Sequence, residues 1–262
     1  MKILNNDAKF AYLGKPGEIF SQGFRRRLRM IQEKVDFKDK KILDLGCGKG
    51  VWMSEFVKFT SPENVFGVDC DKDLIDWLVN NAQSPIYQSK IPFENVVHSV
   101  AESIPFKDNY FDIVFHNEVL EHVSDDILTI RESFRVLKPG GYLIFFTPNT
   151  GWPFETHGIF LFKKYIWGNI PLLPWLPYRI QRIFAPHVRN YTNKRIREVI
   201  SSALSKEYKF ELVHHSHVFP GFDRLIKKFG KVGRCFAKFV HKLEKTPLHF
   251  FGISHFILIR KL

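Results

Sequence analysis

The sequence predicts an α/β fold built on a parallel sheet, and three observations support that prediction. Short apolar runs, such as Ile42–Leu45 and Val65–Asp69, have the composition of strands buried on both faces. Stretches compatible with helices follow these runs, at Val51–Phe59 and at Asp71–Gln83. The turn after the first run contains glycines at alternate positions and leads into a helix. In a doubly wound sheet, a turn of this kind binds a ligand at the helix N-terminus.

The first turn reads Asp44-x-Gly46-x-Gly48-x-Gly50. Glycine lets the backbone turn tightly and approach a ligand where a Cβ atom would clash. The dinucleotide fingerprint has a different spacing, Gly-x-Gly-x-x-Gly. Asp69 ends the second run, where a carboxylate can accept hydrogen bonds from both hydroxyls of a ribose. The two motifs therefore favour a ligand that contains a ribose. A nicotinamide site and a purely structural turn are the alternatives.

These two motifs resemble the first two motifs of class I S-adenosylmethionine-dependent methyltransferases of the methyltransferase type 11 kind. Three later stretches resemble further motifs of that family in the same order, namely Val97–Phe106, Asn109–Val123 and Leu137–Asn149. The resemblance implies a Rossmann-like, seven-stranded, mostly parallel sheet with an antiparallel last strand at its edge, plus helical cap insertions. It also implies an enzyme that uses S-adenosylmethionine.

The expected organisation has three parts. Residues 1–40 are an N-terminal arm and helix, residues 41–150 are the cofactor-binding core, and residues 151–262 hold basic, aromatic cap insertions with strands six and seven. Within these parts, hydrophobic periodicity and capping residues predict a series of elements. They are a helix at Phe20–Val35, a helix at Ser124–Leu137 with Ser124 as its N-cap, a helix at Arg195–Leu204, strand six at Lys209–Val218, a long helix at Gly221–Lys245 and strand seven at Ile253–Leu262.

The resemblance also assigns residues to the cofactor. The glycines would line its methionine and sugar part, Asp44 would reach its amino group, and Asp69 would bind its ribose. Ala101 and Glu102 fall on the adenine-side loop, where Val100 replaces an acid that the family often carries. The complete set of expected cofactor-binding residues is Asp44, Gly46, Cys47, Gly48, Gly50, Asp69, Cys70, Ala101, Glu102 and Asn117.

Glu118, Glu121 and His122 form a candidate site for catalysis or for a metal. Residues at positions i, i+3 and i+4 of a helix share one face, and two carboxylates with an imidazole suit Mg²⁺, Mn²⁺ or Zn²⁺. By resemblance to metal-dependent O-methyltransferases, His187 would complete this site. A metal would lower the pKa of an acceptor hydroxyl. The alternative is a site without metal, in which His116 or His122 is the general base.

The basic residues are concentrated in the second half of the chain. Residues 1–150 contain 19 Lys and Arg against 21 Asp and Glu, whereas residues 151–262 contain 20 against 6. Gly221–Lys245 alternates phenylalanines and lysines at helical spacing, which is typical of a helix in a membrane interface. The alternative is a cap helix that packs its apolar stripe on the domain. Gly151–Tyr178 is aromatic and rich in proline, and it is too interrupted to span a membrane.

Gly151–Tyr178 also resembles an apolar insertion that ubiquinone-biosynthesis O-methyltransferases carry at this place and use at membranes. Together with the basic, aromatic composition, this resemblance implies a hydrophobic or lipid-linked small-molecule acceptor, methylated on oxygen at a membrane surface. RNA methylation at the 2′-hydroxyl is the rival, because lysines and aromatic residues also suit nucleic acid. A non-catalytic cofactor-binding scaffold is a third class. The three cysteines, at positions 47, 70 and 235, have no metal-ligand spacing and do not form an even disulfide set, which is usual in a reducing compartment. The expected location is therefore the cytoplasm, with membrane association.

Overall fold

The computed structural model describes residues 22–81, 92–162 and 164–262. The expected arm at 1–19, the start of the helix at 20–35 and the end of the helix at 71–83 lie outside the described residues. The strands, in chain order, are β1 (Ile42–Leu45), β2 (Val65–Asp69), β3 (Val96–His98), β4 (Phe111–Asn117), β5 (Leu137–Pro148), β6 (Phe154–Glu155), β7 (Ile159–Leu161), β8 (Lys164–Ile166), β9 (Ile170–Pro171), β10 (Phe210–Val218) and β11 (Ser254–Lys261). The helices are α1 (Gln22–Gln32), α2 (Val51–Phe56), α3 (Lys72–Asn81), α4 (Asp126–Val136), α5 (Tyr178–Phe184), α6 (Asn193–Leu204) and α7 (Asp223–Lys242).

Seven of these strands form the main sheet, in the order β10-β11-β5-β4-β1-β2-β3. β1 pairs in parallel with β2 and β4, β2 with β3, and β4 with β5. β11 runs antiparallel to β5 and β10. The Rossmann-like, mostly parallel sheet with an antiparallel last strand is therefore confirmed. The carboxyl ends of β1, β2 and β4 meet at one edge, where ligands of such sheets bind.

The expected position of the last strand at the sheet edge is wrong. β11 lies between β5 and β10, so β10 is the edge strand. The residues of β11 are nearly all buried, whereas most residues of β10 are only half-buried or exposed. A strand that is apolar on both faces needs neighbours on both sides, and a half-polar strand tolerates an edge.

The start of α4 also differs from the sequence prediction. Its N-cap is Asp125, whose side chain accepts a hydrogen bond of 2.9 Å from the backbone N–H of Leu128. Ser124 instead donates its own backbone N–H to Glu102 Oε1 at 2.6 Å. Either residue type caps helices well, so the choice depends on where the chain enters the helix. β5 already begins at Leu137, before the expected stop at Pro139.

The chain divides into two compact units. The sheet unit contains residues 29–147, 194–215 and 256–262, which include β1 to β4, α2 to α4 and most of β5, α6 and β11. The second unit contains residues 148–193 and 216–255 together with the start of α1, and it includes β6 to β9, α5 and α7. Among the described residues, no helix has the length and apolar character that a membrane crossing requires.

Candidate cofactor-binding site

The glycine turn adopts the backbone conformation that its sequence predicts. Gly46, Gly48 and Gly50 have φ angles of 77°, 51° and 70°, a region that L side chains rarely adopt. The backbone N–H groups of Gly46 and Cys47 both donate to the carbonyl of Val68, at 2.7 and 3.0 Å. These bonds fix the turn against β2 and leave α2 starting at Val51 directly behind it.

Asp44 is buried beside this turn and is only partly satisfied. Its side chain is 1% exposed, and the backbone N–H of Met53 donates to it. Its Oδ2 has no hydrogen-bond partner among the described residues. Burial, followed by the nearby charge of Asp69, raises the pKa of Asp44 well above its usual value. An unsatisfied, buried carboxylate oxygen is costly unless a cation or donor pairs with it.

Asp69 closes the other side of the turn. Its Oδ2 accepts from the backbone N–H of Gly48 at 2.8 Å, and its Oδ1 accepts from that of Asp71 at 2.8 Å. Burial raises the pKa of Asp69, although both of these hydrogen bonds oppose the rise. Each carboxylate oxygen has two lone pairs, so the carboxylate retains capacity for ribose hydroxyls.

The two cysteines of the turn region have thiols of low nucleophilicity. Cys47 is buried and Cys70 is exposed. Burial raises the pKa of both thiols, and in Cys47 the charges of Asp44 and Asp69 raise it further. A thiol with a raised pKa is a poor nucleophile. A Cβ atom at Gly67 would lie 2.9 Å from the Cys47 sulfur, so Cys47 acts as packing in the turn.

On the expected adenine side, Glu102 has a structural task. Its Oε1 accepts from the backbone N–H groups of Ser124 and Asp125, at 2.6 and 3.1 Å, and so holds the entry to α4. Ala101 is buried nearby in the sequence, and Asn117 ends β4 at the carboxyl edge. Contacts of these three residues with a cofactor stay predictions.

His116 lies where a general base cannot work. Its side chain is fully buried, and its Nε2 is 2.9 Å from the hydroxyl oxygen of Ser133 in α4. Burial lowers the pKa of His116 to about 3. A general base must reach the proton that it removes and must be basic near the working pH. The sequence prediction for His116 is therefore corrected: it is a neutral core histidine.

The helix that was expected to carry Glu118, Glu121 and His122 is a turn instead. Glu118 has a positive φ of 56°, and the N–H of His122 donates to the carbonyl of Val119 at 2.9 Å. A Cβ atom at Gly46 would lie 2.4 Å from the Val119 side chain, so this turn packs against the glycine turn. The shared helical face, on which the metal prediction depended, is not formed.

Glu121, one of the expected metal ligands, is a buried carboxyl group in this arrangement. Thr147 donates to its Oε2 at 3.1 Å. Burial, and then the charge and hydrogen bond of Glu118, raise its pKa well above the usual value. A carboxylate must lose its proton to bind a metal. His122 Nε2 lies 3.9 Å from Glu121 Oε1, and its side chain is 28% exposed.

His187, the fourth expected ligand, lies in the second unit among other partners. Its Nε2 is 3.2 Å from the carbonyl oxygen of His157. The Nδ1–H of His157 in turn donates a hydrogen bond of 2.9 Å to the buried carboxylate of Glu155. Asn190 donates to the other oxygen of Glu155 at 2.7 Å. Sequence reasoning missed this Glu155–His157 pair, because Glu-x-His between apolar residues has no distinctive spacing.

Comparison with known proteins finds methyltransferases. The family profile described as a methyltransferase domain matches residues 43–145. The chain is 30% identical over 145 residues to the ubiquinone biosynthesis O-methyltransferase of Coxiella burnetii. This alignment covers 55% of this chain and 58% of that protein. The chain is also 29% identical over 126 residues to the demethylmenaquinone methyltransferase of a Geobacillus species, in an alignment that covers 46% of this chain and 52% of that protein. The chain thus spans little more than half the length of these two curated relatives.

A solved structure shows the same fold over nearly the whole chain. An S-adenosylmethionine-dependent methyltransferase from Mesorhizobium loti superposes with a TM-score of 0.60 and covers 92% of this chain and 98% of its own. At 15% identity this match shows the fold alone. The fold and the glycine turn together define a Rossmann-like domain. The profile match then identifies residues 43–145 as a methyltransferase domain.

Proposed function

We propose that the chain is a methyltransferase that binds S-adenosylmethionine on its glycine turn. The observation that supports this most directly is the buried Oδ2 of Asp44, which has no partner among the described residues. The amino group of the cofactor is a cation that could satisfy it, and Asp69 offers its remaining lone pairs to the ribose. When bound, the cofactor supplies a methyl group activated by a positively charged sulfur. The protein mainly has to hold the acceptor in line with that methyl group.

The acceptor in this proposal is a hydrophobic or lipid-linked small molecule, methylated on oxygen at a membrane surface. The names of the two relatives both refer to quinone-related compounds, which supports an acceptor of this class. Of the two predicted bases, His122 alone has a partly exposed imidazole, so it would take the proton of an acceptor hydroxyl. RNA methylation and a non-catalytic scaffold are the alternatives, and no specific observation favours either.

Calorimetry with the full chain tests the cofactor proposal. S-adenosylhomocysteine should bind and NADH should not, because the turn has the spacing of the methyltransferase family. Asp69→Ala should weaken binding by about 10-fold or more, since hydrogen bonds to a charged acceptor contribute about 1.5–3 kcal/mol. The melting curve of this variant should show an intact fold. Tight NADH binding, or no binding of S-adenosylhomocysteine by the folded protein, would overturn the proposal.

Transfer assays in a chelator test the metal question separately. A prenylated catechol with labelled S-adenosylmethionine should give the same rate with and without excess EDTA, because the helical face that was expected to hold the metal is not formed. Activity that disappears in EDTA and returns with Mg²⁺, Mn²⁺ or Zn²⁺ would reinstate the predicted metal site.

A further inference from the structure

Helix α7 is the strongest amphipathic feature of the second unit. It carries seven Lys and Arg residues and a single acid, Asp223. Gly230 interrupts it with non-helical angles (φ 52°, ψ −117°), so residues 231–242 form a separate helical segment. We call this segment the basic helix.

The basic helix packs on its own unit through small residues. Gly233 and Ala237 are the buried residues of α7. A Cβ atom at Gly233 would lie 2.6 Å from the carbonyl oxygen of Leu225, which shows how closely the backbones approach there. This is the opposite of an ordinary surface helix, which buries its large apolar side chains.

The large apolar side chains of the basic helix are exposed instead. Val232, Phe236 and Phe239 are 72%, 47% and 63% exposed. They are spaced by four and three residues and therefore share one face of the helix. Lys231, Arg234, Lys238 and Lys242 lie on an adjacent face, away from the buried residues. The predicted alternative, a cap helix that buries its apolar stripe, does not describe this arrangement.

The exposed apolar surface continues beyond the basic helix within the same unit. Phe222 packs edge-on against Phe236, with ring centroids 5.5 Å apart. The guanidinium of Arg224 lies 4.9 Å from the ring centroid of Trp167, which is itself half exposed. Exposed apolar side chains next to basic ones are typical of an interaction site.

We propose that the basic helix lies in the plane of an anionic lipid bilayer, with Val232, Phe236 and Phe239 entering the acyl region and the basic side chains contacting the headgroups. Negative headgroups complement the four neighbouring positive charges, and an apolar stripe beside them suits the boundary between headgroups and acyl chains. Val232, the most exposed of the three, has no π-face for stacking on a base, which favours lipid over RNA. The biological purpose of this contact rests on the proposed function. The contact adds to that function the surface on which the enzyme would act, an anionic bilayer.

Vesicle flotation with the full chain tests this proposal. Binding to phosphatidylcholine vesicles with about 30% phosphatidylglycerol should exceed binding to pure phosphatidylcholine at least about 10-fold, because each basic residue near an anionic surface adds attraction. Raising the salt from about 50 to about 500 mM should weaken binding without abolishing it, since salt screens charges but not apolar burial. The double variant Val232→Ser/Phe239→Ser should lose the part that survives high salt.

Matched variants keep the test decisive. Val79→Ser/Leu262→Ser removes two exposed aliphatic side chains of the sheet unit and should leave vesicle binding unchanged. Lys231→Gln/Lys238→Gln alters exposed charges only and should remove most of the preference for anionic vesicles, even if the apolar variant folds poorly. Circular dichroism checks the helix content of each variant.

The outcomes separate this inference from the proposed function. Absence of vesicle binding by a wild type that binds S-adenosylhomocysteine overturns the membrane proposal, including the membrane surface in the proposed function, and leaves the cofactor proposal intact. Equal binding by wild type and both double variants of the basic helix overturns it as well. Salt-sensitive binding to a single-stranded RNA with no binding to vesicles would assign the surface to nucleic acid. Vesicle binding without S-adenosylhomocysteine binding would instead contradict the proposed function.

Discussion

Asp44 shows most clearly how a single residue can be unfavourable for stability and useful for binding. Its side chain is buried, one of its oxygens has no hydrogen-bond partner among the described residues, and burial raises its pKa well above the usual value. Because folding raises the pKa of Asp44 above its unfolded value of 3.8, the folded state binds this proton more tightly than the unfolded state does. The resulting contribution to the free energy of unfolding is fully present below pH 3.8 and is lost as the pH rises through the folded pKa. The empty protein therefore loses stability as the pH rises, and a bound cation should restore it.

The first prediction follows from this loss of stability with rising pH. Asp44→Asn should raise the melting temperature of the cofactor-free protein at pH 8, because the neutral amide avoids the free-energy cost that burial of the Asp44 carboxyl group carries above its unfolded pKa. The gain should shrink toward acid pH, where Asp44 is already protonated. Affinity for S-adenosylhomocysteine should fall by about 10–100-fold at pH 8, as expected when a charged hydrogen bond is lost. Calorimetry and thermal melts at several pH values measure both effects.

Asp112 provides the matched control for Asp44. Burial opposes its ionisation, but the backbone N–H of Lys41 and the ammonium of Lys138 donate to it, and together they lower its pKa. A lowered pKa means that the carboxylate stabilises the fold above its unfolded pKa. Asp112→Asn should therefore lower the melting temperature at pH 8. If both variants shift the melting temperature in the same direction, the explanation for Asp44 fails.

Single residues were also where sequence reasoning met its limits. The glycines and the two acids of the turn could be placed because their roles depend on backbone geometry that the local sequence encodes. His116 could not, because the side of β4 that it faces depends on α4 packing and on Ser133. The Glu155–His157 pair was missed for the same kind of reason, since a tertiary hydrogen bond defines it.

Among the elements, periodicity placed helices and strands better than it placed their ends. The helix predicted over residues 124–137 exists as α4 at Asp126–Val136. The helix predicted after β4 does not exist, although its residues suit a helix. Val119 has to pack against Gly46, and Glu118 takes a left-handed conformation. Tertiary packing here overrides a helix propensity of a few tenths of a kcal/mol per residue.

The second prediction concerns the cap of α4. Asp125→Ala should lower the free energy of unfolding by about 1 kcal/mol, because Asp125 accepts the backbone N–H of Leu128. Ser124→Ala should cost less, since the backbone N–H through which Ser124 contacts Glu102 remains in alanine. Urea denaturation of both variants measures the difference. A larger loss at Ser124 would return the cap to the residue that the sequence favours.

At the scale of the whole molecule, charge and exposed apolar surface both point to the second half of the chain. Residues 151–262 contain 20 Lys and Arg against 6 acids, whereas residues 1–150 are nearly balanced. The charge distribution could be read from the sequence directly. That the phenylalanines of α7 are exposed could not, because the sequence does not reveal that Gly233 and Ala237 form its buried face.

The third prediction joins the cofactor site and the membrane surface in one assay. A prenylated catechol embedded in anionic vesicles should be methylated faster than the same catechol at the same content in neutral vesicles. The basic side chains of α7 raise the local concentration of the enzyme at an anionic surface. The difference should shrink at high salt, because the Debye length falls. The product should carry the new methyl group on oxygen, which mass spectrometry and NMR can establish.

A water-soluble catechol without the prenyl chain is the control for this assay, because its transfer does not require the membrane. Val232→Ser/Phe239→Ser should transfer to it at the wild-type rate and should slow only on the embedded acceptor, since neither residue belongs to the glycine turn. Equal slowing on both acceptors would mean that the variant damages the fold or the cofactor site. Equal wild-type rates from anionic and neutral vesicles would remove the membrane from the function while leaving the cofactor chemistry intact. A methyl group found on carbon would keep the acceptor class and exclude O-methylation, because the proton taken by the base would then come from a ring carbon and not from a hydroxyl.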